Sequence, residues 1–166
     1  ALNRYAARHH RECSGGRERL EITYQTVSSV TDPAAEVEVL TEQLRAHMES
    51  HQGAERASRM CLSGPHKDDL VITIDGREAK SYSSQGQTRT AALALKLAER
   101  EIYQNATGEY PVLLLDDVLS ELDPRRQEFV LNRIAGGQVF ITCCEDDRLP
   151  VLLGGKVFHV KQGAIG

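Results

Sequence analysis

Pro111-Val112-Leu113-Leu114-Leu115-Asp116-Asp117-Val118-Leu119-Ser120-Glu121-Leu122-Asp123 is the stretch on which the reading of the chain turns. Val112 to Leu115 are apolar without alternation, the pattern of a strand buried on both faces in a parallel sheet covered by helices. The run ends abruptly in Asp116 and Asp117. A carboxylate taken out of water is costly unless it is paired or metal-bound. In open α/β sheets, ligands gather at the carboxyl ends of strands. The acid pair therefore lies where a metal-bound phosphate would lie.

Downstream, Asp123-Pro124 starts a helix to about Ile134, which Gly136-Gly137 stops. Gln138 to Thr142 is a second buried strand, and this strand–helix–strand unit implies parallel, right-handed pairing. Val157 to Val160 forms a final strand before Lys161-Gln162-Gly163. Upstream, Asn105 to Glu109 is a loop. It follows a long helix from Thr88 to about Gln104 whose Ala91, Leu93, Leu95 and Leu97 leave it apolar nearly all round, hence deeply packed. Leu70 to Ile74 is a strand, Asp75-Gly76 a tight hairpin turn whose central positions need positive φ, and Arg77 to Tyr82 the returning strand. Further back, Leu20 to Thr26 alternates as a strand. Asp32-Pro33 reads as a helix N-cap with proline at the first position. Val37, Leu40, Leu44 and Met48 continue that helix for about four turns, and a shorter polar piece runs from Ala54 to Arg59. Ala1 to Cys13 is the tail of a helix ended by Ser14-Gly15-Gly16.

The 166 residues suffice for a real core, and the net charge of −4 means that any nucleic-acid contact is a local patch rather than a global property. No apolar run approaches membrane-spanning length, and no signal peptide is visible. The chain begins at Ala1 without a methionine, and a fragment is the expectation. The four cysteines (Cys13, Cys61, Cys143, Cys144) show no Cys-x-x-Cys spacing, as for reduced thiols.

Two motifs carry chemistry. Asp116 and Asp117 at a strand end have the form of a Walker B element. Asp116 would hold magnesium through water, and Asp117 would orient and polarise an attacking water. The plain alternative is a loop of exposed acids. Ser84-Gln85-Gly86-Gln87 opens the long helix. With Ser84 as N-cap and Gln87 three residues on, a capping box explains it completely. The same geometry also offers free N–H groups, a positive dipole end and a hydroxyl, which together suit an anion.

The order of these motifs resembles the C-terminal half of an ABC-type ATPase head of the SMC kind, and more specifically the RecF family of bacterial recombination mediators. The residues that carry it are Gly64-Pro65-His66-Lys67-Asp68-Asp69, Ser84-Gln85-Gly86-Gln87-Thr88-Arg89-Thr90 with the Ala92 to Glu99 helix, Leu113 to Asp123, and Gln138 to Thr142. The resemblance implies that Ser84, Gly86 and Gln87 form the signature that reaches the γ-phosphate held by an opposing subunit. Gln85 stands where the general ABC pattern has glycine. It implies Asp116 as the magnesium residue, Asp117 at the catalytic glutamate position and Asp123 as the D-loop aspartate. Asp123 also serves as an N-cap before Pro124. Aspartate is one methylene shorter than glutamate, so slow hydrolysis is expected. Thr142 lies where many ABC ATPases place a switch histidine, so no histidine base is carried over.

A phosphate-cradling Gly-x-x-x-x-Gly-Lys-Ser/Thr loop is absent from the sequence. Gly154-Gly155-Lys156 comes nearest, but Val157 follows it and Pro150 replaces the first glycine. In the family that loop lies in the N-terminal half, so this stretch alone is expected to bind ATP poorly and to be inactive. The expected division is 1–83, a helical lobe and β-hairpin region, and 84–166, the C-terminal part of a P-loop ATPase core. The resemblance further implies ATP and Mg2+ as cofactors and an ATP-dependent homodimer. It implies DNA binding at gaps or single-/double-strand junctions, RecR- and RecO-like partners in recombinase loading, and a cytoplasmic place with no membrane. Two rival readings are another SMC-like or ABC head, and a non-catalytic DNA- or protein-binding dimerisation module. Magnesium-dependent hydrolysis by the complete protein would exclude the second.

Weaker signals remain. His47 and His51 are spaced for zinc on a helix, yet they lack a glutamate directly after the first histidine, and a solvated helix face is the expectation. His66-Lys67-Asp68-Asp69 suits a contact to DNA, partner or nucleotide, or a salt-bridged turn. Cys143-Cys144 are expected to pack at a strand end, and Lys96 and Arg100 to be surface charges. Arg8, Arg11, Arg17 and Arg19 form a modest basic cluster with phosphate contact as its functional reading.

Overall fold

A computed structural model describes residues 1–119, 122–144 and 155–165. The chain divides into two units, one of Ala1–Leu20 with Ser83–Gly166 and the other Glu21–Tyr82. The sequence reading keeps residues 1–83 together. In the structure the first twenty residues pack with the 83–166 part instead.

In the first unit, α1 (Leu2–Cys13) packs along α4 (Gln85–Thr107). Tyr5 meets Asn105, and Arg8 and His9 both meet Glu101. Partner numbers fall along α4 as they rise along α1, so the helices run antiparallel. Ala6 and Ala98 are fully buried. The same unit holds β4 (Leu113–Asp116), α5 (Pro124–Arg133) and β5 (Val139–Thr142), and α5 also meets α1, where Arg133 pairs with Glu12. Leu93 and Leu97 of α4, Leu113 and Leu115 of β4, and Val130 and Ile134 around α5 form one buried cluster with Leu119 and Leu122. Each such side chain contributes roughly 1.5–3 kcal/mol by leaving water.

Strands β4 and β5 pair in parallel, with Leu113 opposite Val139 and Asp116 opposite Thr142. The apolar run at β4 is buried on one face only: Leu113 and Leu115 point into the core, whereas Leu114 is 70% exposed and Phe140 on β5 is 52% exposed. Among the described residues nothing covers this second face. Arg100 is a further correction, being buried rather than on the surface. Its guanidinium donates to the carbonyls of Arg133, Ile134 and Gly136, capping the C-terminal end of α5, and it lies 4.1 Å over the Tyr110 ring. The same tyrosine makes Gly137 obligatory. A Cβ there would lie 2.6 Å from Tyr110 Cβ, at φ +68°. The expected final strand is a small hairpin, β6 (Val160–Lys161) and β7 (Ala164–Ile165), turning at Gln162-Gly163.

The second unit holds the sheet β1-β2-β3, with β1 (Leu20–Gln25), β2 (Asp69–Ile74) and β3 (Arg77–Glu78). Asp75 and Gly76 turn the hairpin at φ 51° and 77°. The returning strand is short, because the chain enters a one-turn helix, α3 (Ala79–Tyr82), directly after Glu78. Asp32 does not cap a helix. Its carboxylate takes the Ala34 N–H at 2.9 Å and its carbonyl the Ala35 N–H, closing a turn that competes with helix. Helix α2 starts at Val37 and runs unbroken to Ser58, absorbing the piece after Ala54.

His47 of α2 is buried, with Nδ1 2.7 Å from the Ser63 hydroxyl and His51 stacked on its ring at 3.9 Å. It is thus neither on a solvated face nor in a metal cluster; the described residues contain no group of three or more potential ligands. Asp68 accepts the Tyr24 hydroxyl, which settles one partner of the His66–Asp69 turn. Among the described residues no helix is long and apolar enough to cross a membrane.

Candidate functional site

The predicted residues fall into two groups, both in the first unit. The first forms around the start of α4. Ser84 is the N-cap, and its hydroxyl accepts the Gln87 N–H at 3.3 Å while the Gln87 carbonyl oxygen accepts the Ser84 N–H at 2.9 Å, a complete capping box. Asp123 caps α5 in the same way, accepting the Arg126 N–H at 3.1 Å. Its other oxygen lies 3.4 Å from the Arg126 guanidinium. That guanidinium would lie 3.5 Å from a Cβ on Gly86, so Asp123, Arg126 and Gly86 meet. Ser84 is exposed, and Gly86 and Gln87 are half-buried. The first-turn N–H groups of a 23-residue helix, a hydroxyl and an arginine converge here.

Residues missed by sequence reasoning complete this group. Gln87 donates its side-chain amide to Glu18 at 3.1 Å, and Glu18 meets fully buried His10 at 3.1 Å. Cys13 is buried, and burial pushes its thiol up to about 11; the nearby Arg126 guanidinium opposes this, and Asp123 and Glu18 add to it. A thiol held protonated there is a packing group rather than a nucleophile. The basic cluster is partly committed elsewhere: Arg8 pairs with Glu101, and Arg17 donates to the Ser14 carbonyl.

The second group is the acid pair. Asp116 ends β4, and both it and Asp117 are exposed. Asp117 turns the chain at φ 51°, a left-handed conformation that aspartate tolerates better than most residues. Its N–H donates to the carbonyl of Thr142 at 3.1 Å and to its hydroxyl at 3.0 Å. The hydroxyl of Thr142 in turn donates to Asp116. One threonine on the neighbouring parallel strand thus holds the Asp116 carboxylate and the Asp117 backbone, at the position where the resemblance expects a switch histidine. An acid with an exposed carboxylate beside a second acid suits magnesium, which takes oxygen ligands and uses one or two carboxylates together with substrate phosphates.

Ser120 and Glu121 of the expected D-loop, and Pro150 and Gly154 of the nearest loop-like motif, lie outside the described residues. Cys143 and Cys144, expected to pack, are exposed beyond β5.

No protein-family model matches the chain. Curated proteins do. It is 42% identical over 168 residues to the DNA replication and repair protein RecF of Symbiobacterium thermophilum, covering 99% of this chain and 45% of that protein. Against the protein of the same description from Alkaliphilus oremlandii it is 39% identical over 158 residues, 94% of this chain and 43% of the relative. Two solved structures described as the recombination mediator protein RecF in the RecFOR pathway, RecF-ATPrS and RecF-ATP, superpose with TM-scores of 0.79 and 0.77 at 37% and 36% identity. Each is matched over 99% of this chain and 43% of its own. The chain spans just under half the length of these relatives, and what it matches is the C-terminal part of RecF.

Proposed function

We propose that this chain supplies the trans-acting half of a RecF-type ATPase head: a signature that completes a partner's nucleotide site, and the acids that serve its own. The complete protein then binds DNA at gaps or junctions in an ATP-dependent way, dimerises on ATP and works with RecO- and RecR-like partners in recombinase loading. The observation that carries the reading is the acid pair, exposed at the carboxyl end of β4, with Thr142 holding the Asp116 carboxylate and the Asp117 backbone N–H. An incidental loop of acids has no need of such a support. The match to RecF-ATP over nearly the whole chain supports the same assignment.

The roles follow from the chemistry of each group. Asp116 would hold magnesium, which supplies charge neutralisation to the phosphates. Asp117 accepts a hydrogen bond from the attacking water and orients it. Ser84 accepts from Gln87 N–H, which leaves its own O–H proton to donate outward to an anionic oxygen. The α4 N-terminus adds its dipole. Asp123, holding Arg126 beside Gly86, keeps the start of α5 against the signature.

The test is ATP-dependent association and hydrolysis of the complete protein. Ser84→Arg is expected to abolish ATP-induced dimers, and Asp117→Asn to trap them with ATP bound. Wild-type behaviour by both variants would reduce the signature to a helix cap and favour a non-catalytic binding module.

A further inference from the structure

Gln87 is the hinge of the capping box, and an amide has two ends. One orientation places its oxygen on the Ser84 N–H, as observed at 2.9 Å; the reverse would set two donors face to face. A carboxylate accepts only, so a carboxylate placed against Gln87 selects its nitrogen and turns its oxygen toward the cap. Glu18 is that carboxylate, 3.1 Å from Gln87 Nε2.

Glu18 does not depend on Gln87 for its own position. Its second oxygen lies 3.1 Å from Nε2 of His10, which is fully buried, and its backbone N–H donates to the hydroxyl of Ser14, 1% exposed, at 3.3 Å. Ser14 in turn donates to the Arg11 carbonyl. The end of α1 and the turn after it thus form a fixed mount sixty-nine residues away in sequence from the signature. A helix cap alone needs no such mount, because Ser84 and Gln87 satisfy one another.

We infer that Glu18, mounted on His10 and Ser14, is a positioning residue for the signature: it fixes the Gln87 amide and thereby the direction in which Ser84 presents its hydroxyl to an anion held by a second subunit. This rests on the reading of Ser84 proposed above. It makes α1 part of the trans-acting surface rather than a neighbouring lobe.

The complete protein is the material for the test, with two measurements on each variant: ATP binding by the separate subunit, and ATP-dependent dimerisation. Glu18→Ala is expected to weaken dimerisation about tenfold, the worth of one charge-assisted hydrogen bond, and to leave subunit ATP binding unchanged. Glu18→Gln still offers Gln87 an acceptor oxygen and is expected to stay within about twofold of wild type. Should Glu18→Ala fail to fold, Gln87→Glu keeps an acceptor for the Ser84 N–H but has no N–H to give Glu18, and so breaks the link with the cap and the mount in place. Unchanged dimerisation in Glu18→Ala or Gln87→Glu, while Ser84→Arg abolishes it, overturns the role of Glu18 and leaves that of Ser84 standing. A parallel loss of subunit ATP binding also overturns it, since Glu18 would then support the fold at large. Dimerisation that survives Ser84→Arg removes the underlying reading, and this one with it.

Discussion

At the start of α4, Ser84 belongs to a capping box whose glutamine is held by Glu18, itself held by buried His10. At the end of β4, Asp116 and Asp117 share one exposed threonine on a two-stranded sheet with an open apolar face. The first end is fixed on several sides by its own chain. The second is fixed on one, and Leu114 and Phe140 stand in water beside it. A surface that must meet a separate molecule gains from being rigid beforehand, because ordering it on binding costs affinity. The acid end has a hydrogen bond to aim the Asp116 carboxylate, but among the described residues not the packing to bury its strand.

The largest expected effect lies at neither end, but where α4 is tied to the segment between α5 and β5. Arg100 reaches from α4 to the carbonyls of Arg133, Ile134 and Gly136, ahead of β5. Arg100→Met keeps much of the side chain's bulk and leaves those carbonyls without their donor. The Ile134 carbonyl is the buried one of the three, and at about 1–3 kcal/mol for a buried group left unpaired a loss of about 2 kcal/mol is expected in urea unfolding. Arg100→Lys should recover little, since an ammonium lacks the planar fork. A loss under about 1 kcal/mol would mean that water replaces the guanidinium.

Thr142 sharpens the comparison at the acid end. It is exposed, so Thr142→Val should leave folding stability within about 0.5 kcal/mol. The Asp116 carboxylate loses its donor, however, while the Asp117 N–H keeps the Thr142 carbonyl, and hydrolysis by the complete protein should fall about tenfold, equivalent to one hydrogen bond. Thr142→Ser keeps the hydroxyl and should keep most of the rate. Equal rates for valine and threonine would show that the Asp116 carboxylate is aimed by something else.

What the sequence made legible was local. Asp75-Gly76, Ser84 with Gln87, and Asp123-Pro124 each act within four residues, and turn and cap chemistry decides them. What stayed hidden was settled across long separations. Glu18 meets Gln87, and Arg100 meets Gly136, only because helices bring them together, and nothing in the composition of either stretch marks a buried charge. Leu114 misled for the opposite reason: an unbroken apolar run predicts two covered faces, and this chain covers one. Asp32-Pro33 shows a local contest decided the other way, an aspartate closing its own turn before the helix could start.

The smallest expected effect tests whether the mount beneath the signature is as firm as its geometry implies. His9 lies on α1 beside His10, buried, with Nε2 3.0 Å from Glu101. Burial lowers its pKa below the usual 6.5, Arg8 and Arg133 add to that, and Glu101 opposes it. The sign follows directly. Below about pH 6.5 the unfolded chain takes up a proton that the folded chain refuses, so stability falls with pH until the folded pKa is reached. Glu101 acts in the same direction at lower pH. Burial raises its pKa, but hydrogen bonding and charge from Arg8 outweigh this and hold it below the ordinary 4.5, so its stabilisation is lost as pH falls through that folded value. Unfolding free energy measured from pH 7 to pH 5.5 should therefore decline in the wild type, and the decline should be flatter in His9→Gln, which has no proton to gain. A slope unchanged by that substitution would place the acid sensitivity elsewhere, in groups other than the histidine–glutamate pairing between α1 and α4.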